Sequence, residues 1–342
     1  MKTIYSDQHF LRNAKTELYG GNLVPPFECP KRAELILSRI NEQKLGPIIE
    51  PTEFGLEPVL EIHDEDFVDF LKSAYSEWQA EGFTGEAIAT AWPARRMAQK
   101  TPCNIDGKLG YYALAAETAI CPGTYDAAIA AKDVALTGAK LIHAGERAAF
   151  ALCRPPGHHA ALDMYGGYCF LNNAAIAAQY LLDQGAKQIA ILDVDFHHGN
   201  GTQDIFYHRD DVLFISLHGQ PEEAFPYFLG YGDETGRRKG KGFNLNFPMP
   251  PGTDFATWNE ALGHAINHIE SFGPDALIIS LGVDTFKDDP ISFFKLNSPD
   301  FCRYGNSIAK LNLPTLFVME GGYAIDDVGI NTVNVLTGFL GD

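Results

Sequence analysis

The sequence predicts an α/β fold: a single domain with a mostly parallel sheet flanked by helices on both faces. Short apolar runs alternate with longer stretches whose apolar residues recur at helical spacing, the pattern of repeated strand and helix units. Several of these runs stop abruptly at ionisable residues, and in an open α/β sheet ligands bind beyond the carboxyl ends of the strands. A chain of 342 residues with 46% hydrophobic and 20% charged residues can fill one such domain over residues 1–342.

Taken in order, a short strand is expected near Thr3 to Tyr5. The loop fixed by Pro25, Pro26 and Pro30 leads into a helix around Lys31 to Gln43. Asp64 to Ala80 reads as a helix with Phe67, Phe70, Leu71 and Ala74 on one face. From Glu81 to about Thr124 periodicity fails; Pro93, Pro102 and Pro122 mark a long, loop-rich insertion, and such loops tend to be functional or interfacial. The alanine-rich Tyr125 to Gly145 is the next helix. Strands follow at Ala148 to Cys153, Ile189 to Leu192, Val212 to Leu217, Ala276 to Leu281 and Thr315 to Met319, and helices at Asn172 to Asp183, Phe255 to Phe272 and Asp300 to Leu311. The glycine-rich Gly230 to Gly242 has no GK[ST] triplet between strand and helix and reads as a mobile loop, not a phosphate cradle.

With 26 Lys plus Arg against 44 Asp plus Glu, the net charge of -18 argues against nucleic acid or an anionic membrane as partner and favours a cationic one. The six cysteines form no CxxC pair, so they read as reduced, mostly buried thiols. The N-terminal residues lack the apolar core of a signal peptide and no run approaches a membrane span, which makes the cytoplasm the expected location.

The chemistry gathers after the strands. The run Ile189 to Leu192 ends in Asp193, Asp195, His197 and His198, before a glycine-bounded turn, Gly199-Asn200-Gly201. Alternate residues of extended backbone share a face, so Asp195 and His197 can reach one metal ion, with Asp284 from the end of another strand as third ligand. Two carboxylates and an imidazole suit zinc, but also ferrous, cobalt or manganese ions. RPPGHHA places His158 and His159 on the same rim. If Asp193 supports one and Asn200 the other, the carboxylate-bound ring is the more basic, and the pair divides into a cationic helper and a neutral general base. Tyr323 follows Gly321-Gly322 in EGGY, where flexible backbone can turn a phenol toward a developing oxyanion. His264 and His268 share a helix face but lack the glutamate of HExxH, so they read as structural.

RPPGHHA, DVDFHHGNGTQ, SLGVD and EGGY, in this order over about half the chain, resemble the histone deacetylase family and its arginase-like fold. The resemblance implies one zinc ion per chain on Asp195, His197 and Asp284, His159 as general base and acid, His158 as its charged neighbour, and Tyr323 as the donor that polarises the carbonyl. It further implies a narrow tunnel lined by Tyr168 and Phe225, with Gly167 and Gly322 beside it. A potassium site on Asp193, Asp195, His197, Ser216 and Leu217 is also implied. Asn200 stands where some members carry aspartate, and ECPKRAELI follows the family's N-terminal pattern only loosely.

The long 81–124 segment looks like that of the family's bacterial acetylpolyamine amidohydrolases, in which an inserted loop narrows the tunnel at a homodimer interface. Glu17, Asp106 and Glu117 are then the candidates for holding a distant ammonium. The expected activity is zinc-dependent hydrolysis of N-acetylated polyamines, with acetate as the product. The alternatives are a protein acetyl-lysine deacetylase, a binuclear manganese ureohydrolase, and a pocket that binds acetylated cations without turnover.

Overall fold

The structure is a computed structural model that describes residues 1–94 and 96–341; residues 95 and 342, the first inside the loop-rich segment, lie outside it. In chain order the elements are β1 (Lys2–Ile4), β2 (Glu17–Tyr19), β3 (Asn22–Val24), α1 (Pro30–Gln43), β4 (Ile48–Ile49), α2 (Glu57–Leu60), α3 (Glu65–Ala80), α4 (Ile105–Tyr112), α5 (Thr124–His143) and β5 (Ala148–Ala151). Then come α6 (Asn173–Asp183), β6 (Ile189–Asp193), α7 (Asn200–Phe206), β7 (Val212–Gly219), β8 (Asn244–Met249), α8 (Phe255–Phe272), β9 (Ala276–Leu281), α9 (Ser298–Ala309), β10 (Thr315–Met319) and α10 (Val328–Leu340).

Eight strands form one sheet in the order β4-β1-β5-β10-β9-β6-β7-β8, and every pairing in it is parallel. Parallel strands need covering on both faces, and β6 displays the reason. Ile189 and Ile191 enter the core beneath α3, α5 and α6, whereas Ala190 and Leu192 enter the opposite core beneath α1, α8, α9 and α10. The fold class is therefore the expected one. The four strands whose ends carry candidate chemistry, β5, β10, β9 and β6, are neighbours at the centre of the sheet. Register aligns their ends, with Asp193 opposite Ser280 and Met319 opposite Leu281.

Helix ends follow local chemistry. Asp254 accepts a hydrogen bond from the Thr257 N–H at the start of α8, and Gly273, in left-handed backbone, closes it. Asn297 and Asp300 form a reciprocal capping box on α9. His264 and His268 lie on the exposed face of α8.

Several elements depart from expectation. The loop-rich segment contains α4, whose two glycines mask its helical character, and is tied by an antiparallel bridge between Ala87 and Ile120. The turn expected at Gly199 to Gly201 is the start of α7. β8 carries Pro248 and two asparagines, tolerable because it is the sheet edge. The Gly230 to Gly242 segment is pinned, not mobile: Glu234 accepts from the Gln203 amide at 2.6 Å and from the Gly230 N–H at 2.9 Å. Among the cysteines three are buried, two are half-buried and Cys103 is exposed, all as free thiols. No helix among the described residues is long and apolar enough to cross a membrane.

Candidate functional site

At the ends of β6 and β9, Asp195, His197 and Asp284 bring ligand atoms within 4.8 Å of one another, all buried. His197 Nδ1 lies 2.9 Å from Asp284 Oδ2 and 3.3 Å from Asp195 Oδ1. Backbone contacts fix the two carboxylates: Asp284 Oδ1 accepts from the Phe196 N–H, and Asp195 Oδ2 from the Gly321 N–H at 2.8 Å. Burial, followed by repulsion from Asp195, pushes the Asp284 carboxyl up to about 8. Two buried carboxylates that repel each other around an imidazole fit a divalent cation, which would neutralise both.

The strand end after β5 delivers the paired histidines. His158 Nδ1 lies 2.9 Å from Asp193 and His159 Nδ1 lies 2.6 Å from Asn200 Oδ1. Asn200 Nδ2 donates to the His159 carbonyl, which orients the amide so that its oxygen accepts from Nδ1 and leaves the His159 Nε2 lone pair free. Burial alone would lower His158, but the Asp193 and Asp195 carboxylates outweigh it and raise it to about 10. Burial, with His158 and His197 as like-charged neighbours, holds His159 well below the usual imidazole range. The pair is thus one cation and one neutral base at rings 4.0 Å apart.

Tyr323 arrives from β10. A Cβ at Gly321 would sit 3.2 Å from the Tyr323 hydroxyl and 2.6 and 2.7 Å from Asp195 Oδ2 and Asp284 Oδ2, so phenol and carboxylates converge on one point. Burial keeps the phenol protonated, raising it well above 10. Its placement rests on residues the sequence reading did not identify. Asp289 accepts from the Tyr323 N–H at 2.7 Å. Arg32 lies 4.8 Å from the Tyr323 ring centroid and donates to the Gly322 and Glu320 carbonyls, both at 2.6 Å. Arg32 is itself paired with Glu28, which also takes two contacts from Arg154 at 2.7 and 3.1 Å. Of this buried network, ECPKRAELI carries Glu28 and Arg32 and RPPGHHA carries Arg154.

A cavity of about 560 Å³ opens above these groups, lined by His159, His197, Tyr323, Tyr168, Phe225, Phe196, Gly167, Glu17 and Glu117 among others. Phe225 stands edge-on to the His159 ring at 5.1 Å, and the Tyr168 and Tyr323 rings are 5.6 Å apart. Gly167, at φ +54, leaves no space for a Cβ, which would run into the His159 ring. Glu17 is pushed up to about 7 by burial, opposed by the Tyr168 phenol and the Phe27 N–H, and its Oε1 is buried without a partner. Glu117 accepts from the Gly167 N–H at 3.0 Å.

Not every candidate meets there. Asp106 is exposed on the first turn of α4, outside the cavity lining, and Gly322 lies outside it too, packed against Val283. Asp193, Asp195, His197, Ser216 and Leu217 are all buried along adjacent strand ends, with Asp193 and Ser216 in register.

A model of the histone deacetylase domain matches residues 26–339. The chain is 58% identical over 341 residues to "Acetylpolyamine amidohydrolase" of Mycoplana ramosa, covering 100% of both chains. It is 56% identical to "Acetylpolyamine amidohydrolase 2" of Pseudomonas aeruginosa, over 100% of this chain and 99% of that one. The crystal structure of an acetylpolyamine aminohydrolase from Burkholderia pseudomallei superposes with a TM-score of 0.94 at 37% identity, covering 99% of this chain and 98% of that one.

Proposed function

The chain belongs to the histone deacetylase family, and from that membership we propose that it hydrolyses N-acetylated polyamines to acetate and free amine. The observation that carries the substrate class is the union of acids and chemistry in one cavity: Glu17 and Glu117 line the same walls as His159 and Tyr323. An aliphatic chain passing Tyr168 and Phe225 can keep its acetyl group at the base while an ammonium meets a carboxylate. The full-length relatives bearing the acetylpolyamine amidohydrolase name support this assignment.

Asp195, His197 and Asp284 would hold the divalent metal, one zinc ion per chain in this reading. When bound, zinc supplies a Lewis acid for the acetyl carbonyl and lowers the pKa of water. His159 Nε2 takes the proton from the attacking water and later delivers it to the departing amine. His158, held as a cation by Asp193, stabilises the negative charge that develops beside it. The Tyr323 hydroxyl donates to the tetrahedral oxyanion. Asn200 keeps His159 in the tautomer that can accept at Nε2. A potassium ion on Asp193, Asp195, His197, Ser216 and Leu217 would brace the strand end carrying two of the ligands.

The 81–124 segment is the proposed insertion and homodimer contact. Its Trp92 and Met97 are 44% and 69% exposed, which suits burial against a second copy. That contact would also give Asp106 a route to the partner's cavity. The cytoplasm is the proposed location, with neither nucleic acid nor membrane as partner.

The test compares kcat/KM for an acetylated diamine and an acetyl-lysine peptide on the zinc-loaded protein, reading acetate release. Preference for the diamine is expected. Preference for the peptide would replace this reading with protein deacetylation, and a guanidine substrate with two metals per chain would replace it with ureohydrolysis.

A further inference from the structure

Behind the metal triad lies a second cluster of buried donors, from His158, Cys169 and Glu320, whose ligand atoms all lie within 4.8 Å of one another. The catalytic reading uses only His158. It leaves the other two side chains without a chemical role: Cys169 Sγ donates to the Gly167 carbonyl at 3.3 Å, and Glu320 is fully buried. Glu320 Oε2 accepts from the Gly157 and His158 N–H groups at 2.7 and 3.1 Å, but Oε1 is buried with no partner. A buried carboxylate oxygen with nothing to accept is costly, and each such atom calls for a physical explanation.

We propose that His158, Cys169 and Glu320 form a second divalent-metal site, filled by zinc when free metal exceeds the demand of the first site, and that its occupancy inhibits the enzyme. The donor set favours this class of ion. A thiolate selects zinc, cobalt or cadmium over magnesium and calcium, and one thiolate plus one carboxylate cancels the charge of a divalent cation in a buried site. His158 already has the support of a metal-binding imidazole, its Nδ1 turned to the Asp193 carboxylate, so Nε2 is the atom it offers. Binding displaces two protons to solvent, one from the Cys169 thiol and one from Nε2 of the His158 cation. None of the three lines the cavity, but His158 Nε2 lies 3.9 Å from Asp195 Oδ2, so an ion enters past the first metal position. Once there it occupies the nitrogen that the reaction needs, a consequence that alone rests on the deacetylase reading.

Cobalt titration of the metal-free full chain tests both parts. The first equivalent should restore activity without thiolate ligation; the second should add a near-ultraviolet sulfur-to-cobalt charge-transfer band and reduce acetate release by tenfold or more. In Cys169→Ser the band should vanish and activity should survive excess metal. Glu320→Gln should weaken the second binding event by tenfold or more in a metal-competition titration. No thiolate band at any cobalt concentration, or one that persists in Cys169→Ser, overturns the site. A band that depends on Cys169 while activity is unaffected keeps the site and overturns the inhibition.

Discussion

His63 offers a quantitative test of how the histidine-bearing loop is held. It is fully buried; Nδ1 lies 2.8 Å from the Ala161 carbonyl, and Nε2 accepts from the Asn172 N–H at 2.9 Å. The neutral ring therefore joins the segment just past His159 to the residue that caps α6. Burial lowers its pKa from 6.5 to about 4, against a smaller upward push from the Ala161 and Leu162 backbone. The unfolded chain binds the proton more readily than the folded one, so this contribution is complete above the unfolded value and is lost as pH falls from 6.5 toward 4. The full shift corresponds to about 3 kcal/mol, and the part lost near pH 5 to about 2 kcal/mol. For a chain of this length that is roughly 3 °C in Tm. The perturbation is His63→Gln, which can donate to one partner and accept from the other but does not titrate. Urea unfolding near pH 7.5 and pH 5, followed by circular dichroism, should show a loss on acidification smaller in the variant by about 2 kcal/mol. His9 and His218, also lowered to about 4, remain in both proteins and cancel. Equal acid losses in the two proteins would refute the reasoning.

Tyr323→Phe removes the oxyanion donor but keeps the ring beneath Arg32, so kcat should fall on the order of 10²-fold or more with KM little changed; near-normal turnover removes Tyr323 from the mechanism. Asp284→Ala should lose the divalent ion, read directly as metal content after gel filtration, and unchanged zinc would refute the ligand assignment. Glu17→Gln should raise KM for a cationic acetylated diamine on the order of tenfold, as loss of one charge-assisted contact implies, and spare an uncharged acetylated amine. An equal effect on both substrates would make Glu17 a structural residue of the cavity wall.

The reach of the sequence reading follows from the range of the forces involved. β6 and β9 were visible because strands buried on both faces are apolar throughout, and their ends because Asp193, Asp195 and His197 interrupt that pattern within a few residues. The metal group and the histidine pair depend on such short spacing plus the rule that ligands gather beyond strand ends. Nothing local announces Asp289, which holds the Tyr323 N–H from 34 residues away, and ECPKRAELI gives no hint that its Arg32 reaches Gly322 across 290. β8 was hidden because an edge strand need not be apolar. α10 was hidden because a helix buried on most sides lacks the polar stripe that reveals amphipathic ones. Gly230 to Gly242 was misread because composition suggests freedom, and only the fold brings Glu234 to Gln203.

The contacts from Arg32 to the Gly322 and Glu320 carbonyls also bear on how this protein is made. β5 cannot gain its neighbour β10 until residue 315 has been synthesised, and Arg32 has no carbonyls to meet until the chain has passed residue 322. During translation the nascent chain therefore carries His158, His159, Asp195 and Asp284 before it can fix its phenol. Before that point the chain lacks both the Gly321 N–H that holds Asp195 Oδ2 and the phenol itself. The site is complete only when β10 closes the gap at the centre of the sheet and α1 locks it in place through Arg32.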